Sequence, residues 1–249
     1  MTSSVLQYET NFESEAFFES LAVAARSGRR HPQLTQLAMR AARAALVEGM
    51  KGCGGESFDQ ECEGGALEAN WEAENYFHQS YPMHEAAPAL TLMEHLGHGA
   101  AEAESDGEAF AFLAPLLPMA IKALPLITKG IGVAAKMIPK IAGTVAKVAP
   151  KVMKGVDAAS KVLRADPVTK PLVQAMPRVV QQTTADLARQ VAQGKPISAQ
   201  TAVQTLARNT ANVLGNPSAA VNSVRRARTI DQRVHRALAA APAPCSCQQ

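Results

Sequence analysis

Residues 110–161 read FAFLAPLLPMAIKALPLITKGIGVAAKMIPKIAGTVAKVAPKVMKGVDAASK, and this stretch decides the fold class. Its lysines are Lys122, Lys129, Lys136, Lys140, Lys147, Lys151, Lys154 and Lys161. At ~100° per residue they all fall within a wedge of roughly 80° on one helical wheel. Leu124, Ile127, Ile131, Ile138, Ile141, Val145 and Val152 gather on the opposite side. Such a period predicts amphipathic helix, with an apolar face to be covered and a cationic face turned to something polar. Pro125, Pro139 and Pro150 lack the N–H that continues a helix, so they are expected to kink or divide the run.

Outward from this stretch the helical reading continues. Toward the C-terminus, Pro171, Gly194-Lys195-Pro196 and Asn216-Pro217-Ser218 separate three further helices. Val173, Met176, Val180, Leu187 and Val191 mark the core face of one; Val203, Leu206, Val213 and Leu214 that of the next; Val221, Val224, Ile230, Val234 and Leu238 that of the last. Toward the N-terminus, a helix runs from about Asn11 through Phe17, Phe18, Leu21 and Val23 to a stop at Ser27-Gly28. A second starts after Pro32 and carries Leu34, Leu37, Ala41, Ala44 and Leu46. The fold class is therefore mainly α. It comprises a short helical hairpin over 1–52, an acidic and largely disordered linker over 53–108, a kinked Lys-faced segment over 109–164, a helical module over 165–240 and a flexible tail over 241–249. Within the linker, limited helix is expected only near Glu85–Leu96.

Charge is segregated along the chain. Residues 52–121 hold thirteen Asp or Glu and no Lys or Arg, whereas residues 122–249 hold nineteen basic and four acidic side chains. The net charge of +3 conceals this, and the layout points to self-masking or to an anionic partner. All eleven aromatic residues lie at or before Phe112, so the remaining helices must pack with Ala, Val, Leu, Ile and Met. The start of the chain has neither the basic region nor the apolar core of a secretory signal, which sets the cytoplasm as the default location, with signal-independent export as the alternative. The uncharged apolar run ahead of the lysines, Ala109–Ile121, has 13 residues; a membrane span needs ~20.

Candidate sites follow from the same residues. The eight lysines make a possible anionic-surface contact. Arg225, Arg226, Arg228, Arg233 and Arg236 make a possible contact for phosphate or an acidic partner, although without aromatics beside them nucleic acid is the less favoured ligand. His95 and His98 have a spacing that can share a metal, with Glu94 or Glu102 nearby, but Glu94-His95-Leu96-Gly97-His98 lacks the acid between ligands that a zinc protease uses. His78 and His84 stand in the same acidic block. Cys53, Cys62, Cys245 and Cys247 fit no zinc module and are too few for a disulfide scaffold. Gly130-Ile131-Gly132-Val133-Ala134-Ala135, followed by Asp157, matches a dinucleotide fingerprint in letters only, because helical periodicity runs through it where a strand is required. No catalytic residue, cofactor or metal is expected.

The order of parts resembles a group of bacterial proteins that join an acidic front to a Pro- and Lys-studded apolar segment and an Arg-rich helical end. The matching pieces are Glu13-Ser14-Glu15-Ala16-Phe17-Phe18, Leu113-Ala114-Pro115-Leu116-Leu117-Pro118, Met176-Pro177-Arg178-Val179-Val180, Thr201 through Arg208, and Asp231-Gln232-Arg233-Val234-His235-Arg236. The group is similar to proteins encoded near phage-tail-like contractile injection systems. That resemblance implies an accessory or cargo of such a particle and transfers no catalytic residue. The expected function is a non-catalytic structural or interaction protein, partnered by a protein assembly or by further copies of itself. The alternatives are a membrane-active effector working through 110–161 and a nucleic-acid-binding basic tail.

Overall fold

Helix ends fall where the punctuation residues stand in the computed structural model, which describes the backbone of residues 3–51, 88–128 and 135–240 and the side chains of 15–51, 90–128 and 135–236. Helix α1 (Ser3–Ser27) stops at Gly28, whose φ of 65° is open to glycine and strained for other residues. Helix α2 (Pro32–Met50) has Pro32 in its first turn and is capped by His31, whose Nδ1 accepts from the Leu34 amide. Helix α8 (Met176–Ala192) ends before Gly194, φ 76°. Helix α9 (Ala199–Gly215) is capped by Ser198, which accepts from the Thr201 amide at 3.0 Å. Helix α10 (Pro217–Ala240) follows extended Asn216, whose Oδ1 accepts from the Ala219 amide.

The central stretch is divided as its prolines require. Helices α3 (Pro88–Glu102), α4 (Asp106–Leu113), α5 (Leu116–Lys122) and α6 (Leu124–Ile127) are followed by a short 3-10 turn (Ala135–Met137) and then by α7 (Ile138–Arg164). Pro125 and Pro139 occupy first turns, where their missing N–H has no intrahelical partner to lose. Pro150 lies inside α7, which nevertheless continues; Ala146 and Pro150 are both exposed, so the carbonyl deprived of its donor lies on the solvent side. A second 3-10 segment (Lys170–Ala175) carries Pro171 and leads into α8. No strand occurs among the described residues.

The apolar faces read from the sequence close on one another in a single buried cluster that runs from Leu21 to Val224. Helix α2 packs against α7 and α9, α8 against α9, α7 and α5, and α1 against α10. The two N-terminal helices are joined by a tight connection, as a hairpin requires, but each finds its main cover elsewhere in the chain. Segments 1–52, 109–164 and 165–240 thus share one core. Buried hydroxyls are satisfied within their own helices: Thr128, Ser160, Thr184, Thr210 and Ser223 each donate to the carbonyl four residues back.

One expectation needs correction. Residues 53–87 of the acidic linker lie outside the described residues, but 88–108 are not linker. Helix α3 buries Leu90, Met93, Ala100 and Ala101 against α10, α4, α5 and the Lys170–Ala175 turn. The acids there misled because Glu94 is paired internally and the others point outward, while apolar residues at helical spacing form the buried side. Along α1, Leu21 is buried and Val23 is 59% exposed. Residues two apart on a helix point about 200° apart, so only one of them can face the core.

Candidate functional site

The predicted lysine face is not one surface. The helix breaks between Lys122, exposed at the end of α5, and Lys136, exposed in the first 3-10 turn, so a single wheel axis does not describe both. Lys129 lies outside the described residues, as do most of the Gly130–Ala135 run, His78, His84 and all four cysteines. On α7, Lys140, Lys147, Lys154 and Lys161 are exposed along the side opposite buried Ile141, Val145, Val152 and Val156. Lys151 is half-buried and donates from Nζ to the Lys51 carbonyl at 2.7 Å. Lys161 pairs with Asp157 at 3.0 Å, and that hydrogen bond holds its ammonium above the usual lysine range.

On α10, Arg225, Arg228, Arg233 and Arg236 are exposed, whereas Arg226 is half-buried. Its Nε lies 2.6 Å from Glu94 Oε1 and 2.7 Å from Oε2, which engages this arginine with α3, unlike the other four of the predicted contact. Glu94 is 9% exposed. Burial pushes its carboxyl above the usual range, and the charge of Arg226 and the hydrogen bond to it oppose that. The folded state therefore holds the Glu94 proton more tightly than the unfolded chain does. This contribution to stability is fully present below the ordinary carboxyl range and is lost as pH rises through the folded titration. In denaturant melts stepped between about pH 4 and 8, the stability of the native protein minus that of Glu94→Gln is expected to fall just above the ordinary carboxyl range and then level off. A difference that grows with pH would contradict this assignment.

The α3–α10 interface also gathers residues that sequence reasoning left scattered. His95 Nδ1 lies 2.9 Å from Asp231 Oδ1, His235 Nε2 lies 3.4 Å from the same oxygen, and His98 Nε2 lies 3.4 Å from Oδ2. The rings of His95 and His235 meet edge to face with centroids 5.8 Å apart. Gln174, from the 3-10 segment before α8, places Nε2 2.9 Å from His98 Nδ1; its Oε1 is buried without a partner. Only the His95/His98 spacing hinted at this cluster. Asp231 and His235 are one turn apart on a helix more than 130 residues later, and no local signal joins the two pairs. Among the described residues, no group of three or more His, Cys, Asp or Glu is arranged to hold a metal ion. The imidazoles meet the two oxygens of one carboxylate rather than surrounding a common point.

Apart from this cluster and Glu94, four acids of the folded body are engaged in ion pairs: Asp106 with Arg164, Asp157 with Lys161, Asp186 with Arg189 and Arg208, and Glu48 with Lys51. The excess of cations remains on the surface. No helix among the described residues is long and apolar enough to cross a membrane. No protein-family model, curated protein or solved structure matches this chain.

Proposed function

We propose that this is a non-catalytic interaction protein that docks through its basic helix faces onto an acidic surface of a larger protein assembly. One observation carries the reading: the apolar side of α7 is buried against α2, α8 and α9, while Lys140, Lys147, Lys154 and Lys161 are left outside. A second basic face, formed by Arg225, Arg228, Arg233 and Arg236, occupies α10, which packs chiefly against α1, α3, α9 and the second 3-10 segment. Two cationic faces on different helices suit a part that bridges neighbours. The resemblance to proteins encoded near contractile injection systems gives this role a specific form, an accessory or cargo of such a particle.

Insertion of 110–161 into a bilayer requires the side chains that now fill the core, including Leu116, Leu124, Ile141 and Val152, so it is coupled to opening the bundle. The test is binding of the full chain to poly-L-glutamate and to anionic liposomes loaded with dye, across a salt series. Saturable binding to polyglutamate that weakens with salt and falls about tenfold or more in Lys140→Glu/Lys147→Glu/Lys154→Glu is expected, with no dye released. Dye release at low salt would transfer the function to the membrane-active reading. Equal binding of native and charge-reversed protein would remove α7 from the interface.

A further inference from the structure

Three imidazoles face one carboxylate, two of them from across a helix–helix interface and His235 from the same helix as Asp231, and their proton inventory can be read from their partners. His98 Nδ1 accepts from Gln174 Nε2, so its single proton belongs on Nε2 and is directed at Asp231 Oδ2. His95 Nδ1 donates to Oδ1, and His235 approaches that oxygen from one turn further along α10. Neutral imidazoles therefore solvate the Asp231 charge. A first added proton converts one of these contacts into an ion pair, which the carboxylate welcomes.

A second proton has no such partner. Glu94 is already engaged by Arg226, with Arg178 of α8 also acting on it. The 3-10 segment contributes the uncharged Gln174, and α1 and α9, the other elements packed on α10, contribute no charge to the pairs around Asp231. On α10 itself, Arg228 and Arg233 are exposed to solvent. Two or three imidazolium groups would then share a single carboxylate a few ångströms away, and like charges in a partly buried site repel strongly. His98 meets a further obstacle. Its added proton would sit on Nδ1 and point at the Gln174 amide N–H group, so the carboxamide would have to turn over. Oε1, now without a partner, would accept, and Nε2 would lose its partner in a side chain only 2% exposed.

We propose that Asp231 with His95, His98 and His235 is a proton-operated clasp between α3 and α10, closed while the imidazoles hold at most one added proton and loosened by the second and third. Imidazole changes charge within the physiological range, so the device works under mild acidification. It stands on the geometry of this interface and is independent of what the basic faces bind.

The experiment is amide hydrogen exchange on the full chain at about pH 7.5 and pH 5.5, with rates corrected for the intrinsic effect of pH. Corrected protection of Met93–Ala101 in α3 is expected to fall about tenfold at the lower pH, with α2, α7 and α9 unchanged. In Asp231→Asn the fall is expected to begin at higher pH, because no carboxylate receives the first proton. In His95→Gln/His98→Gln/His235→Gln it is expected to vanish. His235→Gln alone, at a side chain 68% exposed that the fold does not depend on, is expected to reduce it. Equal protection of native α3 at both pH values, or an undiminished fall in both His variants, overturns the clasp. So does protection of α3 by added zinc at neutral pH that is lost in His235→Gln, since that result makes the cluster a metal site.

Discussion

Gly155→Val is expected to destabilise the protein by about 3 kcal/mol and lower its melting temperature by roughly 6–12 °C in a thermal scan. A Cβ at Gly155 would stand 2.6 Å from Leu206 Cδ2 and 3.0 Å from the Ala45 carbonyl oxygen. A Cβ at Gly49, on the facing helix, would stand 2.7 Å from Val203 Cγ1 and 3.2 Å from the Lys151 carbonyl oxygen. The two notches are reciprocal: Gly49 of α2 faces Lys151 of α7, and Gly155 of α7 faces Ala45 of α2, as antiparallel helices in close approach require. Side chains from α9 seal both. The backbone oxygens cannot retreat, and Leu206 is fully buried, so the added volume must separate helices. Gly143, also in α7, has nothing within 4 Å of a built Cβ. Gly143→Ala is expected to raise stability by up to about 1 kcal/mol through helix propensity alone. If Gly155→Val left the melting temperature at its native value, the close-approach account would fail.

Arg164→Ala is expected to cost about 3–4 kcal/mol, read as a lower denaturant midpoint. The Arg164 side chain is 7% exposed at the end of α7, and its guanidinium reaches three acceptors. Nη1 donates to the Ala100 carbonyl at 2.5 Å, Nη2 to the Ala103 carbonyl at 3.0 Å, and Nε to Asp106 Oδ1 at 3.2 Å. The two carbonyls belong to the C-terminal end of α3, where a helix leaves oxygens without internal donors and a cation is favoured. Asp106 opens α4, so one planar group fixes the corner between two helices and ties both to α7. Asp106 is largely exposed, and its pairing contributes the smaller share. Arg164→Lys keeps the charge but loses the fork, so recovery of no more than about half the loss is expected. Native stability in Arg164→Lys would mean that charge alone matters there.

Most of the helical architecture was legible. Gly28, Pro32, Gly194 and Pro217 mark helix ends by backbone chemistry that acts locally, and the positions chosen for the core of α8 and α9 are buried. The candidate sites were legible only in part. On α7, where one helix axis runs through five of the eight lysines, four of them are exposed on one side; the helix that carries Lys122 ends at that residue, so the wheel does not extend to it. Arg226 was indistinguishable from Arg225 and Arg228 by composition, since its partner Glu94 is 132 residues away. Residues 88–108 read as linker when their acids are counted, and as helix only when the stripe of Leu90, Met93 and Ala100 is weighed instead.

Local rules settled what this chain is made of: amphipathic helices with one apolar and one cationic face, punctuated by Pro and Gly. Those properties depend on residues within one or two turns of each other, which the sequence displays directly. Tertiary contact alone decided which charges face water, which are spent inside, and that three histidines meet one aspartate. Such pairings join residues more than a hundred positions apart, and they exist only once burial of Met93, Ile230 and their neighbours has brought α3 onto α10.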